Sequence, residues 1–209
     1  MKISALKAQA KVSLKGNWGL AILIMLVVFA ISSAVDSLTA GLGALVTPVL
    51  TFGVASFYMI IARGGSAKLE TVFTDSFSNF LKKWGALLLT GLYVWLWSLL
   101  FIIPGIVMSY AYSMTQFLML DNPEMGVTEA IAESKKMMKG NKWKLFCLDL
   151  SFIGWHLLAF LTCGLVYIYA IPLMNAARVQ FYLELKGEKA AEAEEAAEAA
   201  EEPVAETQE

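Results

Sequence analysis

The chain has 209 residues, 58% of them hydrophobic and only 16% charged, with mean hydropathy +0.62 and a formal net charge of −2. Soluble domains hold about 45–50% apolar and roughly 25% charged residues, so an ordinary soluble globule is not expected. Nine of the 18 acidic residues lie between Glu188 and Glu209. Residues 1–187 carry 15 Lys/Arg against 9 Asp/Glu, a net +6, which suits an anionic lipid surface. These basic residues sit at the ends of apolar segments rather than on one polar face, so nucleic acid is not an expected partner.

The chain opens with an amphipathic stretch. Lys7, Lys11 and Lys15 form one stripe at a spacing of four, and Ile3, Leu6, Ala10 and Leu14 form another, the pattern of a helix lying in a membrane interface. Gly16 and Asn17 follow as a helix stop. Six apolar segments then approach the roughly 20 residues that cross a hydrocarbon core: Trp18 to Ser37, Leu42 to Ala62, Trp84 to Ile103, Gly105 to Leu120, Leu145 to Leu161 and Leu165 to Leu185. Because five more spans follow the first, a retained helix is expected there rather than a cleaved signal. Ile103-Pro104-Gly105 reads as a tight hairpin between the third and fourth.

Apart from Arg178, which lies inside the sixth, lysine and arginine partition cleanly around these spans, falling before the first, between the second and third, between the fourth and fifth, and after the sixth. The positive-inside rule then places both termini in the cytoplasm of a plasma membrane. Trp18, Trp84 and Trp143 stand where basic loops enter spans and are expected as interface anchors.

A shift of 124 residues places Lys15-Gly16-Asn17 on Lys139-Gly140-Asn141, Pro48 on Pro172 and Phe57-Tyr58 on Phe181-Tyr182. The expected architecture is all-α: six transmembrane helices and three interfacial amphipathic helices, built from repeated helix-plus-hairpin units over residues 1–64, 65–121 and 122–187, with an acidic Ala/Glu-rich tail over 188–209. The middle unit, opened by an amphipathic stretch over 71–83, fits loosely, with a first helix and turn about ten residues shorter. In the third, Asn122 is expected to cap a helix with Pro123 in its first turn.

Polar residues inside a span are costly and face the bundle interior. Asp149 and His156 lie seven apart on one face of the fifth span, and Asn175, Arg178 and Tyr182 share one face of the sixth. An antiparallel hairpin brings Asp149 to Arg178 and His156 to Asn175. These five form the candidate intramembrane polar cluster; the alternative is a set of groups that fix helix packing. The single histidine and the lack of a phosphate-binding glycine loop or His-Glu-x-x-His imply no metal site, no cofactor and no enzyme.

At Leu14-Lys-Gly-Asn-Trp18, Phe101-Ile-Ile-Pro-Gly105, Met137-Met-Lys-Gly-Asn-Lys-Trp143 and Leu150-Ser-Phe-Ile-Gly-Trp155 the chain resembles the bacterial integral membrane proteins catalogued as domain of unknown function 975. It departs at Pro172-Leu173, where an aromatic is expected after the proline. The resemblance implies a bacterial plasma-membrane protein and supplies no catalytic residues. Two functions remain open. One is a membrane-organising component that engages lipids, a protein partner or further copies of itself. The other is a small transporter or channel subunit using the polar cluster.

Overall fold

The computed structural model describes residues 3–38 and 47–187. The acidic tail and the start of the second expected span lie outside the described residues. The chain is all-α. Its segments are α1 (Ile3–Ser13), α2 (Trp18–Leu38), α3 (Leu50–Ala62, entered through a 3-10 turn at Thr47–Val49), α4 (Leu69–Phe77), α5 (Phe80–Leu100), α6 (Ile102–Tyr112), α7 (Thr115–Asp121), α8 (Val127–Met137), α9 (Lys142–Leu150), α10 (Ile153–Leu161) and α11 (Tyr167–Lys186). Turns of two residues join α6 to α7 and α9 to α10, so the described residues form nine helical rods.

The rods repeat one pattern three times: a short lead helix (α1, α4, α8), an outgoing helix (α2, α5, α9–α10) and a return helix (α3, α6–α7, α11). Each lead helix ends on a left-handed residue that turns the chain into the outgoing helix. Gly16 at φ 88° and Gly140 at φ 83° do this in the outer units, and Asn79 at φ 50° in the middle one. Glycine adopts that conformation without steric cost, and asparagine is among the few other residues that tolerate it.

The units interlock as a closed ring. Every lead helix packs on the return helix of the preceding unit: α4 on α3, α8 on α6 and α7, and α1 on α11. Each outgoing helix touches the next lead helix, in the pairs α2–α4, α5–α8 and α9–α1. Each return helix touches the next outgoing helix: the turn at the head of α3 meets α5, α6 meets α9, and α11 meets α2. Three kinds of contact close in the same cyclic order, which defines a pseudo-threefold bundle.

Burial follows a register of 62 residues. Ala21, Lys83 and Leu145 are buried at matching points of the outgoing helices, and Ile24, Ala86 and Leu148 one turn later. On the return helices Ala55, Phe117 and Val179 match, as do Phe57, Met119 and Phe181. Asn17, Asn79 and Asn141 mark the same register.

Several expectations are corrected in detail. The outgoing helix of the middle unit is not itself short, since α5 has 21 residues, as α2 does; what is short is its turn, the single residue Phe101 between α5 and α6. The reversal falls at Phe101, extended at φ −161°, and Pro104 lies in the first turn of α6, where a missing N–H leaves no intrahelical bond unmade. Asn122 donates to the Leu118 carbonyl at the end of α7 (3.3 Å), and α8 begins five residues later, with Glu129 accepting from the Gly126 N–H. Finally, the first lead helix does not lay its apolar stripe on lipid. Leu6, Ala10 and Leu14 are at most 2% exposed because α11, α3 and α9 cover α1. Removing a leucine from water contributes about 2 kcal/mol, so a protein groove competes well for such a stripe.

Of the six expected spans, two coincide with helices long and apolar enough to cross a membrane, Trp18–Leu38 and the continuous Lys142–Leu161. Thr47–Ala62 is apolar but shorter. The first lies near the N-terminus, where a signal sequence has the same character.

Candidate functional site

The outgoing helix of the third unit carries a two-residue turn where its polar residues lie. Ser151 and Phe152 separate α9 from α10. Ser151 Oγ turns back to the Leu148 carbonyl, while Lys7 Nζ reaches across from α1 to the Ser151 carbonyl at 2.7 Å and lies 4.2 Å from the centre of the Phe152 ring. Burial first, and Lys11 second, push the Lys7 pKa below its ordinary value.

Just before that turn, Asp149 faces Arg178 of α11. Arg178 Nη2 donates to both carboxylate oxygens at 3.1 Å, and Nε donates to Oδ1 at 3.3 Å. Tyr110 of α6 donates its hydroxyl to Oδ2 at 3.1 Å. The Asp149–Arg178 pairing is the one that the antiparallel register implies. His156 does not meet Asn175; its Nδ1 lies 3.0 Å from the Tyr167 hydroxyl, and Asn175 hydrogen-bonds with Tyr58 of α3.

Two cavities flank Arg178 and Asn175. The smaller, 290 Å³, is lined by Asp149, Phe152, His156, Ile171 and Met174 together with those two residues. The larger, 530 Å³, lies among the return helices and α2. Its wall takes Val54, Gln116 and Arg178 from the three return helices, residues at one register position 62 apart, and Ala55, Phe117 and Val179 from the next. The cavity is therefore shared by all three units, while its chemistry differs round the ring: apolar on α3, an amide on α7, a guanidinium on α11.

A second polar knot ties the ends of the same three helices. Asp121, at the end of α7, accepts from Arg63 Nη2 at 2.8 and 2.9 Å, from the Tyr182 hydroxyl at 2.6 Å and from Lys186 Nζ at 2.7 Å. Its side chain is only 5% exposed. Burial alone would raise its pKa, but the bonds from Lys186, Tyr182 and Arg63 outweigh burial and hold the carboxyl below the usual range. Tyr182 thus leaves the expected cluster: it lies on the ridge of Asn175 and Arg178 yet serves Asp121, and its ring stacks on Phe117 with centroids 5.2 Å apart.

Of the expected interface anchors, Trp143 is exposed and stacks on Phe146, and Trp84 is half-buried. Trp18 is packed among the helices, parallel to the Tyr169 ring at 4.6 Å. Asp121, Tyr110 and Tyr58 are site residues that the sequence reading did not single out, and Lys7 was expected only in an interfacial stripe. Gln116 belongs to the polar stripe Ser109, Ser113 and Gln116 of the fourth span, and the 62-residue spacing joins it to Val54 and Arg178.

These features define the class: an all-α protein of three interlocked helical units round a polar-lined cavity, with two helices long and apolar enough to cross a membrane. Residues 99–189 match the model of a family described as a protein of unknown function (DUF975), which is the family that the sequence resembles. The match covers the third unit and the return helix of the second. No curated protein and no solved structure matches the chain.

Proposed function

We propose that the chain is a multi-pass membrane protein, with six crossing helices and cytoplasmic ends, that holds a small solute between its three return helices. It would act as a transporter or channel component and perform no bond chemistry. The observation that carries this reading is the shared cavity, in which Arg178 keeps about half of its side chain accessible. Internal repeats with a polar site at their interface are a feature of transport proteins, and here three repeats meet around Gln116, Asn175 and Arg178.

Crossing by all three hairpins is supported by length and surface. α5 has 21 residues and α11 has 20. Leu92, Trp95, Leu99, Leu157, Phe160 and Leu161 expose apolar surface without a protein cover, which is uncommon in water. Packing of α2 on α11 and α4 favours a retained first helix. The covered stripe of α1, Leu6, Ala10 and Leu14, favours a packing role for that helix over a membrane-organising one. The exposed lysines of α1 still suit an anionic headgroup layer.

Topology is tested with natural reporters. Cys163 is exposed in the turn after α10. In a Cys147→Ser background, intact cells should label Cys163 with a membrane-impermeant maleimide, and Ser66→Cys should label only after permeabilisation. Labelling of both positions from one side would reject six crossings. For function, native mass spectrometry of gently extracted protein should find a small solute that Arg178→Gln loses. Equal retention by the variant would count against the cavity.

A further inference from the structure

We infer that the cavity between the return helices selects a small organic anion with an apolar body, anchored by Arg178 Nη1 and oriented by Gln116. This rests on the preceding reading that the cavity is a solute site, and it adds the chemical class.

Charge comes first. Among the residues lining the 530 Å³ cavity, Arg178 is the single cation and no carboxylate is present. Asp149 lines the smaller cavity on the other side of the guanidinium. A cation in the larger cavity would face Arg178 with its counter-charge behind it. An anion there meets the guanidinium directly.

Hydrogen-bonding capacity comes second. Asp149 occupies Nε and Nη2 of Arg178; among the described residues nothing bonds Nη1. A guanidinium carries five N–H donors, so the two on Nη1 remain for an oxygen acceptor. The Gln116 amide also has no hydrogen bond among the described residues, and it occupies the register position of Arg178 on a different helix. Tyr58 and Asn175, bonded to each other, line the wall between them.

Shape comes third. Val28, Leu50, Val54, Phe117 and Val179 supply an apolar wall, and the volume falls within the range of about 300–1,000 Å³ typical of small-molecule sites. A fully hydrated inorganic ion would leave that wall unused. A carboxylate or phosphate on a compact apolar body uses both sides. Asp149 then has a second role as an internal stand-in: it neutralises Arg178 when the cavity is empty and competes with the ligand for the guanidinium.

The test compares radiolabelled benzoate with benzamide, a neutral molecule of the same shape, on the full chain in detergent. Benzoate is expected to bind at least about ten-fold more tightly, a gap of roughly 1.4 kcal/mol. Arg178→Gln should abolish that preference, and Asp149→Asn should strengthen benzoate binding by releasing the guanidinium. Equal binding of the two probes, with Gln116→Trp blocking both, overturns the anionic class and leaves the solute site standing. Weaker benzoate binding in Asp149→Asn also overturns the anionic class. If Gln116→Trp and Arg178→Gln change neither probe, the cavity is not the site and both readings fall. Repeating the assay in nanodiscs separates two sources of the same chemistry. Suppression of benzoate binding by phosphatidylglycerol but not phosphatidylcholine supports an anionic lipid headgroup as the occupant, and no difference between the lipids supports a free solute.

Discussion

Asp121 and Asp149 are both carboxylates paired with arginine on the same bundle, and they are built for different work. Asp121 is 5% exposed and takes bonds from a guanidinium, an ammonium and a phenol. Its partners come from the first and third units, so one small side chain joins all three return helices. Asp149 keeps 26% of its surface and Arg178 keeps 53%, with cavities on two sides. The first arrangement is saturated and resists exchange. The second leaves donor capacity on the arginine and room beside it, as a site that must accept and release something requires. Burial and saturation, more than the presence of an ion pair, separate the sealed carboxylate from the open one.

The most direct way to break this contrast is Asp121→Ala. Removing one member of a buried ionic network leaves the others uncompensated, which costs roughly 3–5 kcal/mol. Thermal unfolding in detergent should show a large loss for this variant. A melting temperature within a degree or two of the parent would mean that the return helices are held by packing alone.

Acid sharpens the same point. The folded-state pKa of Asp121 is held low, so between that value and the unfolded pKa of about 3.9 the folded state binds fewer protons and stability rises with pH. Its contribution is complete above the unfolded pKa and is lost as pH falls through the folded one. Asp121→Asn should therefore flatten the acid limb of the stability profile.

A third effect, smaller and of opposite sign, comes from the register. Gln180 is fully buried and neither polar atom of its amide has a partner among the described residues, while Leu118 holds the matching position 62 residues earlier. An unsatisfied buried amide costs about 1–3 kcal/mol. Gln180→Leu should raise stability by roughly 1–2 kcal/mol on that account. Destabilisation instead would show that the amide has a partner in the working protein.

Much of this bundle was legible in the chain, and the failures share a cause. The first amphipathic stripe was visible in the spacing of Lys7, Lys11 and Lys15, and Asp149 met Arg178 because two helices joined by a short turn leave few registers. What covers a stripe is not local information. Leu6 and Leu14 read as membrane-facing because nothing nearby in sequence says that α11 lies over them. Asp121 escaped notice because its partners are 58 to 65 residues away and it stands alone at the end of an apolar run. The outer units announced their repeat through Lys-Gly-Asn, whereas the middle one turns on Ser78-Asn79 and carries Lys83 where its counterparts have Ala21 and Leu145. That lysine is buried, donating to the Asp75 carbonyl and to Ser78 Oγ, so a hydrophobic position was occupied by a charge and the period was masked. His156 and Asn175 were placed at one depth correctly enough to be neighbours of one cavity, but tyrosines, which the polar inventory underweighted, took their hydrogen bonds.

The smallest stability effect is expected where the largest functional one is. Asp149→Asn removes a charge from a pair that is half-accessible, and such pairs contribute about 0–1 kcal/mol. The asparagine can still accept from Arg178 and from Tyr110 with its carbonyl oxygen, so the geometry around the turn between α9 and α10 should persist. Its melting temperature should stay close to the parent value while the affinity of the cavity for anions rises. Asp121→Asn should show the reverse ordering, with stability lost and the affinity of the folded fraction unchanged. If instead Asp149→Asn unfolds the protein as readily as Asp121→Asn does, Asp149 belongs to the scaffold. The distinction between a sealed carboxylate and an open one would then fail for this bundle.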